Sequence, residues 1–125
     1  MTTGVRILVI DDDPIVRGML AEMLRREGYD VDEAEDGRAG MRQFRQQPAA
    51  LVITDVVMPE QEGLETLMQL RQASPSVRVI AISGGGRVGP ESYLNSARTL
   101  GAHAILAKPF GREELLKAVT EVLAG

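Results

Sequence analysis

The chain has no cysteine and a single histidine, His103. Disulfide stapling, thiolate metal sites and histidine-rich metal sites are thereby excluded. No apolar run approaches the ~20 residues needed to span a bilayer, and the N-terminus lacks the apolar core of a signal peptide. A cytoplasmic protein with no membrane contact is expected. Positive charge is short: 14 Lys and Arg stand against 18 Asp and Glu, a formal net charge of −4. A surface for nucleic acid or anionic lipid would need a basic excess, so neither partner is expected. Linkers, internal repeats and low-complexity stretches are also missing. The glycines at 84–86 are too few to divide domains, and no Gly-Lys-Ser/Thr follows them as a nucleotide-binding loop requires. With 125 residues, 44% of them hydrophobic, one domain over 1–125 is expected, large enough to bury a core unaided.

What the chain does have is alternation. Apolar runs at Val5–Ile10, Val31–Ala34, Ala50–Thr54, Val77–Ile82 and His103–Ala107 are separated by helical patterns. The first helix is expected over Pro14–Glu27, with Ile15, Met19, Leu20, Met23 and Leu24 on one stripe. Pro14 suits the first turn, where its missing N–H would be unpaired anyway, and Gly28 is a stop signal. The second helix runs from an Asp36 cap to about Gln47, with Phe44 inward and Pro48 ending it. The third covers Leu64–Ala73, a weakly amphipathic fourth Glu91–Leu100, and the last Glu113–Leu123. The methionines at helical spacing read as core filler. Near-continuous apolar strands alternating with helices predict a parallel sheet covered on both faces. Five units favour an open doubly wound α/β sheet, since a closed barrel needs eight.

In such sheets ligands bind beyond the carboxyl ends of the strands. Asp11, Asp12 and Asp13 follow the first run, Asp55 the third, Ser83 the fourth and Lys108 the fifth. Any one of these could be a cap or a solvated loop residue; together, at four of five strand ends, they ask for a common purpose. Crowded carboxylates raise at least one pKa, and a hard divalent cation relieves the repulsion. Mg²⁺ at such a site would neutralise charge on a phosphoryl group attacked by Asp55, with Lys108 adding a second positive charge. Ser83 Oγ and the Gly84 N–H would take the remaining phosphoryl oxygens. Asp13, just past the pair, reads as a helix N-cap rather than a ligand. His103 reads as a surface strand residue, not a phosphodonor.

Ile7-Leu8-Val9-Ile10-Asp11-Asp12-Asp13-Pro14, Thr54-Asp55-Val56-Val57-Met58-Pro59, Ala81-Ile82-Ser83-Gly84 and Ala107-Lys108-Pro109-Phe110 resemble the motifs of the two-component response regulator receiver domain, single-domain chemotaxis receivers included. The resemblance covers essentially the whole chain. It implies a flavodoxin-like (βα)5 fold with strand order 2-1-3-4-5. It implies a phosphorelay switch, not a turnover enzyme: Asp55 takes a phosphoryl group from a sensor histidine kinase or histidine phosphotransfer protein, with Mg²⁺ or Mn²⁺ as cofactor. Asp11, Asp12, Asp55 and the Val57 carbonyl would hold the metal; Ser83, Gly84 and Lys108 would hold the phosphoryl group. Pro109 matches the family's cis-proline position. The implied output is an unknown downstream protein, contacted through the fourth helix and fifth strand; the same face with the fifth helix is where a homodimer would form.

Three positions depart from the family pattern. Ile105 stands where most receivers have Tyr or Phe, the partner of Ser83 in the usual switch. The segment after Ser83 is long and glycine-rich, and Glu62 replaces a common Asp before Gly63. Tyr93 is a candidate surface contact or a substitute for the missing aromatic. Val57 and Gly85 offer no polar side chain to position a water, so slow self-dephosphorylation is expected. Two other classes stay open: a haloacid-dehalogenase-type phosphatase with Asp11 as nucleophile, and an unphosphorylated interaction module.

Overall fold

A computed structural model describes residues 4–55, 61–83 and 101–125, with backbone alone at 61–64 and 83. Its elements are β1 (Arg6–Ile10), α1 (Pro14–Arg26), β2 (Asp30–Ala34), α2 (Gly37–Gln46), β3 (Leu51–Asp55), α3 (Gln61–Ala73), β4 (Arg78–Ser83), β5 (Ala104–Ala107) and α4 (Arg112–Ala124). The strands form one parallel sheet in the order β2-β1-β3-β4-β5. This is the flavodoxin-like architecture expected from the sequence. The predicted helix over 91–100, the glycine loop, Tyr93, Val57 and Gly84 lie outside the described residues. So does part of the expected dimer face. Among the described residues, no helix is long and apolar enough to cross a membrane.

Alternation along each strand divides the core in two. Ile7 and Val9 of β1, Leu51 and Ile53 of β3, and Ile80 and Ile82 of β4 pack with Leu20 and Leu24 of α1 and Leu115 and Val119 of α4. Leu8, Ile10, Val52, Val79 and Ala81 pack on the other face with Met41 and Phe44 of α2 and Leu67 and Leu70 of α3. Burying both faces explains why the central strands read as unbroken apolar runs. β2 lies at the sheet edge and carries Asp30, Asp32 and Glu33, charges that discourage pairing with another chain.

The helix ends follow the expected chemistry. Asp13 accepts from the Ile15 and Val16 N–H groups, and Asp36 from the Ala39 N–H at 2.8 Å. Gly28, at φ 92°, donates to Arg25 O while Tyr29 donates to Leu24 O, closing α1 in a Schellman turn that only glycine enters freely. At Gly40 a Cβ would collide with the Ile10 side chain, so α2 sits close on β1 because a glycine is there.

Three expectations change. Ile15 and Met19 are exposed, at 72% and 51%, as is Met68 at 47%. The apolar arc of α1 is wider than the sheet can cover: Leu20, Ala21 and Leu24 take the buried line, leaving the neighbouring 15/19 row outside. The reading of methionines as core filler therefore holds for Met41 but not for Met19 or Met68. α3 begins at Gln61 rather than Leu64 and runs through Gly63, whose cost of about 1 kcal/mol in a helix is not enough to delay it. Finally, Asp55 and Ser83 are the last residues of β3 and β4, not loop residues.

Candidate functional site

Parallel register brings the acidic residues together. Ile10 pairs with Thr54, so Asp11 and Asp55, one residue further along each strand, emerge side by side at the carboxyl edge. Asp55 shares the parity of Ile53, whose side chain belongs to the α1/α4 face. Ser83 pairs with Ala107, which puts Lys108 just beyond that row. Its long side chain reaches back across the edge.

Lys108 Nζ lies 3.2 Å from Asp55 Oδ2 and 3.4 Å from Asp11 Oδ2. Asp11 is fully buried and Asp55 nearly so, while Asp12 is exposed. One oxygen from each of the three carboxylates can be chosen so that all lie within 4.8 Å of one another, a spacing suited to a shared cation. Burial pushes the Asp11 carboxyl above the ordinary aspartate range, and nearby Asp55 adds to the rise; the Asp13 N–H and Lys108 act against it. Burial draws the Lys108 ammonium down, but Asp55 and then Asp11 outweigh it and hold the group above the usual lysine range. Three carboxylates face one ammonium, so the pocket has an excess of negative charge and a set of hard oxygen donors. That is the donor set that Mg²⁺ or Mn²⁺ prefers.

Of the residues singled out from sequence, the structure brings Asp11, Asp12, Asp55 and Lys108 into this pocket. Asp13 stays outside it as the α1 cap. Ser83 ends the adjacent strand; its side chain, like Val57 and Gly84, falls outside what is described. Ile105 is half-buried, packed against the α2/α3 core. The Lys108–Pro109 peptide is cis. His103 is exposed just before β5, as expected of a surface position.

Two features went unread in the sequence. The Arg17 guanidinium donates to the Asp11 carbonyl at 2.8 Å and is 3.5 Å from Glu33. Its signal was weak: an arginine one turn past the Asp13 cap. Beside Lys108, a groove of about 230 Å³ is lined by Val16, Met19, Leu20, Met23, Pro109 and Phe110. Ile15 extends this apolar surface on α1.

The comparisons agree with the geometry. The sequence model of the response regulator receiver domain matches residues 7–120. The chain is 31% identical to the chemotaxis protein CheY of Bacillus subtilis over 119 residues, covering 94% of this chain and 97% of the relative. It is 36% identical to the response regulator MprA of Mycolicibacterium vanbaalenii, covering 95% of this chain but 50% of that protein. The solved receiver domain of NtrX from Brucella abortus superposes with a TM-score of 0.86 at 28% identity, covering 94% of this chain and 98% of that one. The chain belongs to the response regulator receiver domain family of two-component signalling.

Proposed function

We propose that Asp55 is the phosphoacceptor of a Mg²⁺- or Mn²⁺-dependent phosphorelay switch. The observation that carries this is the Lys108 ammonium set between the buried Asp11 and Asp55 carboxylates, with Asp12 alongside. Asp55 Oδ attacks phosphorus; the O–P bond forms as the N–P bond of a phosphohistidine breaks, and the leaving imidazole nitrogen keeps the electron pair. Lys108 is placed to follow the charge as it passes from the Asp55 carboxylate to the phosphoryl oxygens. Ser83 Oγ and the Gly84 N–H are assigned the other oxygens. Asp11, Asp12, Asp55 and the Val57 carbonyl are the assigned metal ligands; the bound cation supplies positive charge against the phosphoryl group and relieves the carboxylate crowding.

The phosphodonor is a histidine kinase or histidine phosphotransfer protein. The apolar groove beside Lys108, with exposed Ile15 and Met19, supports docking of such a partner next to the pocket. The output is a further protein whose binding changes on phosphorylation.

Incubation with a small phosphodonor such as acetyl phosphate and Mg²⁺, read by intact mass, tests the assignment. One phosphoryl group is expected on the wild type and none on Asp55→Asn. Label retained by Asp55→Asn but lost from Asp11→Asn would favour the phosphatase-like alternative and overturn this reading.

A further inference from the structure

Asp12 is the exposed member of the acidic trio, and an exposed side chain on a loop does not hold its place unaided. Its backbone is nevertheless fixed on both sides. The peptide before it is held at its carbonyl, that of Asp11, which accepts from Arg17 Nη1 at 2.8 Å; one peptide earlier, the Asp11 N–H donates to Ala34 O at 3.1 Å. The peptide after it is held by the Asp13 N–H, which donates to Asp11 Oδ1 at 2.9 Å. The Asp13 bond is made within the loop. The Arg17 bond is different, because it reaches the peptide next to Asp12 from a side chain of α1.

Arg17 is itself anchored. Glu33 of β2 lies 3.5 Å from its Nε, and Arg25 holds the other Glu33 oxygen at 3.2 Å while donating to Val31 O at 2.9 Å. Gln43 of α2 donates to the Glu33 carbonyl at 2.7 Å. The Arg17 side chain as a whole is about four-fifths shielded from solvent. A surface ion pair of this kind adds little to stability by itself. Its geometry, however, connects the edge strand β2 to the carbonyl that orients the Asp11–Asp12 peptide.

We infer that Arg17 is a positioning residue for the divalent-cation site, holding the β1–α1 loop so that the Asp12 carboxylate faces Asp11 and Asp55. The inference rests on reading the acidic trio as that site. Outer partners that orient metal ligands commonly matter about tenfold or more in affinity.

The sign of the effect separates positioning from plain charge. Removing a nearby cation should tighten Mg²⁺ binding if Arg17 acts only through its charge. Positioning requires the reverse. Isothermal titration of the purified chain with MgCl₂ is the measurement. Arg17→Met, which keeps much of the aliphatic stem, is expected to raise the Mg²⁺ Kd about tenfold. Glu33→Gln, which leaves the Arg17 donor in place but loosens its anchor, is expected to weaken binding in the same direction by less. Arg26→Ala, which breaks only the exposed Arg26–Glu22 pair, should leave Kd unchanged. Equal or tighter binding by Arg17→Met, with circular dichroism like the wild type, overturns the inference and leaves the metal site standing. Should Arg17→Met not fold, unchanged binding by Glu33→Gln has the same force. Wild-type protein that takes up no Mg²⁺, or Asp12→Asn that binds as well as wild type, overturns the metal reading and the inference together.

Discussion

The Lys108 ammonium lies 3.2 Å from the Asp55 carboxylate across 53 residues of sequence. It also reaches Asp11, so one cation stabilises two charges that burial disfavours. Lys108→Ala is expected to lower stability in metal-free buffer by about 2 kcal/mol, less than breaking a fully buried pair costs, because the Lys108 side chain is about a quarter exposed. Mg²⁺ should then raise the melting temperature more in this variant than in the wild type. Thermal melts with EDTA and with excess Mg²⁺ check both; equal Mg²⁺ increments in the two proteins would count against a shared role for metal and lysine.

Removing a charge from the pocket should have the opposite effect. Asp11 is fully buried and its carboxyl is pushed up by that burial. Asp11→Asn keeps an oxygen to accept from the Asp13 N–H while removing one of the crowded charges. In metal-free buffer its melting temperature is expected to lie above that of the wild type. The gain from added Mg²⁺ should largely disappear. A melting temperature below wild type in EDTA would contradict this.

Ile15 and Met19 are exposed beside the Pro109–Phe110 groove. Charged replacements at both, Ile15→Glu with Met19→Glu, should leave stability within about 0.5 kcal/mol, since neither side chain is buried. Transfer from a phosphorylated histidine kinase or phosphotransfer protein should slow at least about tenfold, while phosphorylation by acetyl phosphate stays at the wild-type rate. Equal slowing with both donors would place the effect in the pocket, not at a docking surface.

His103 extends the β4–β5 pairing by one step. Its N–H donates to Val79 O at 2.7 Å, and its Nδ1 accepts from the Val79 N–H at 3.1 Å, leaving the ring proton on Nε2. Partial burial, then the Arg71 and Arg78 cations, lower its pKa below the ordinary histidine value. The folded chain thus takes up this proton at lower pH than the unfolded chain does. The stabilising contribution is fully present above about pH 6.5 and is lost as pH falls through the folded value. Melts from about pH 8 to about pH 5 should show His103→Asn losing less stability than wild type. Parallel pH curves would show that this ring is not a contributor.

Much of this fold was legible because a parallel sheet buried on both faces writes itself as short apolar runs, and β1, β3 and β4 are such runs. The acidic pocket was legible because Asp11 and Asp55 end two of them. What escaped depends on distances through space. Periodicity gives the width of an apolar arc on α1 but not which rows the sheet covers, so Ile15 and Met19 were placed inside. Strand ends shifted by a residue because pairing with the neighbour, not propensity, sets where β3 and β4 stop. Arg17 and Glu33 are 16 positions apart, and nothing local marks them as partners.

The sheet that separates the two cores also separates their freedom to vary. Leu24 and Phe44 belong to clusters that share no residue. Substitutions accepted around one therefore place little demand on the other, as distant sites act nearly additively. The exposed row of α1, proposed above as a docking surface, can then vary while the α2/α3 core stays as it is. A lineage could thus change what the domain listens to without rebuilding how it folds.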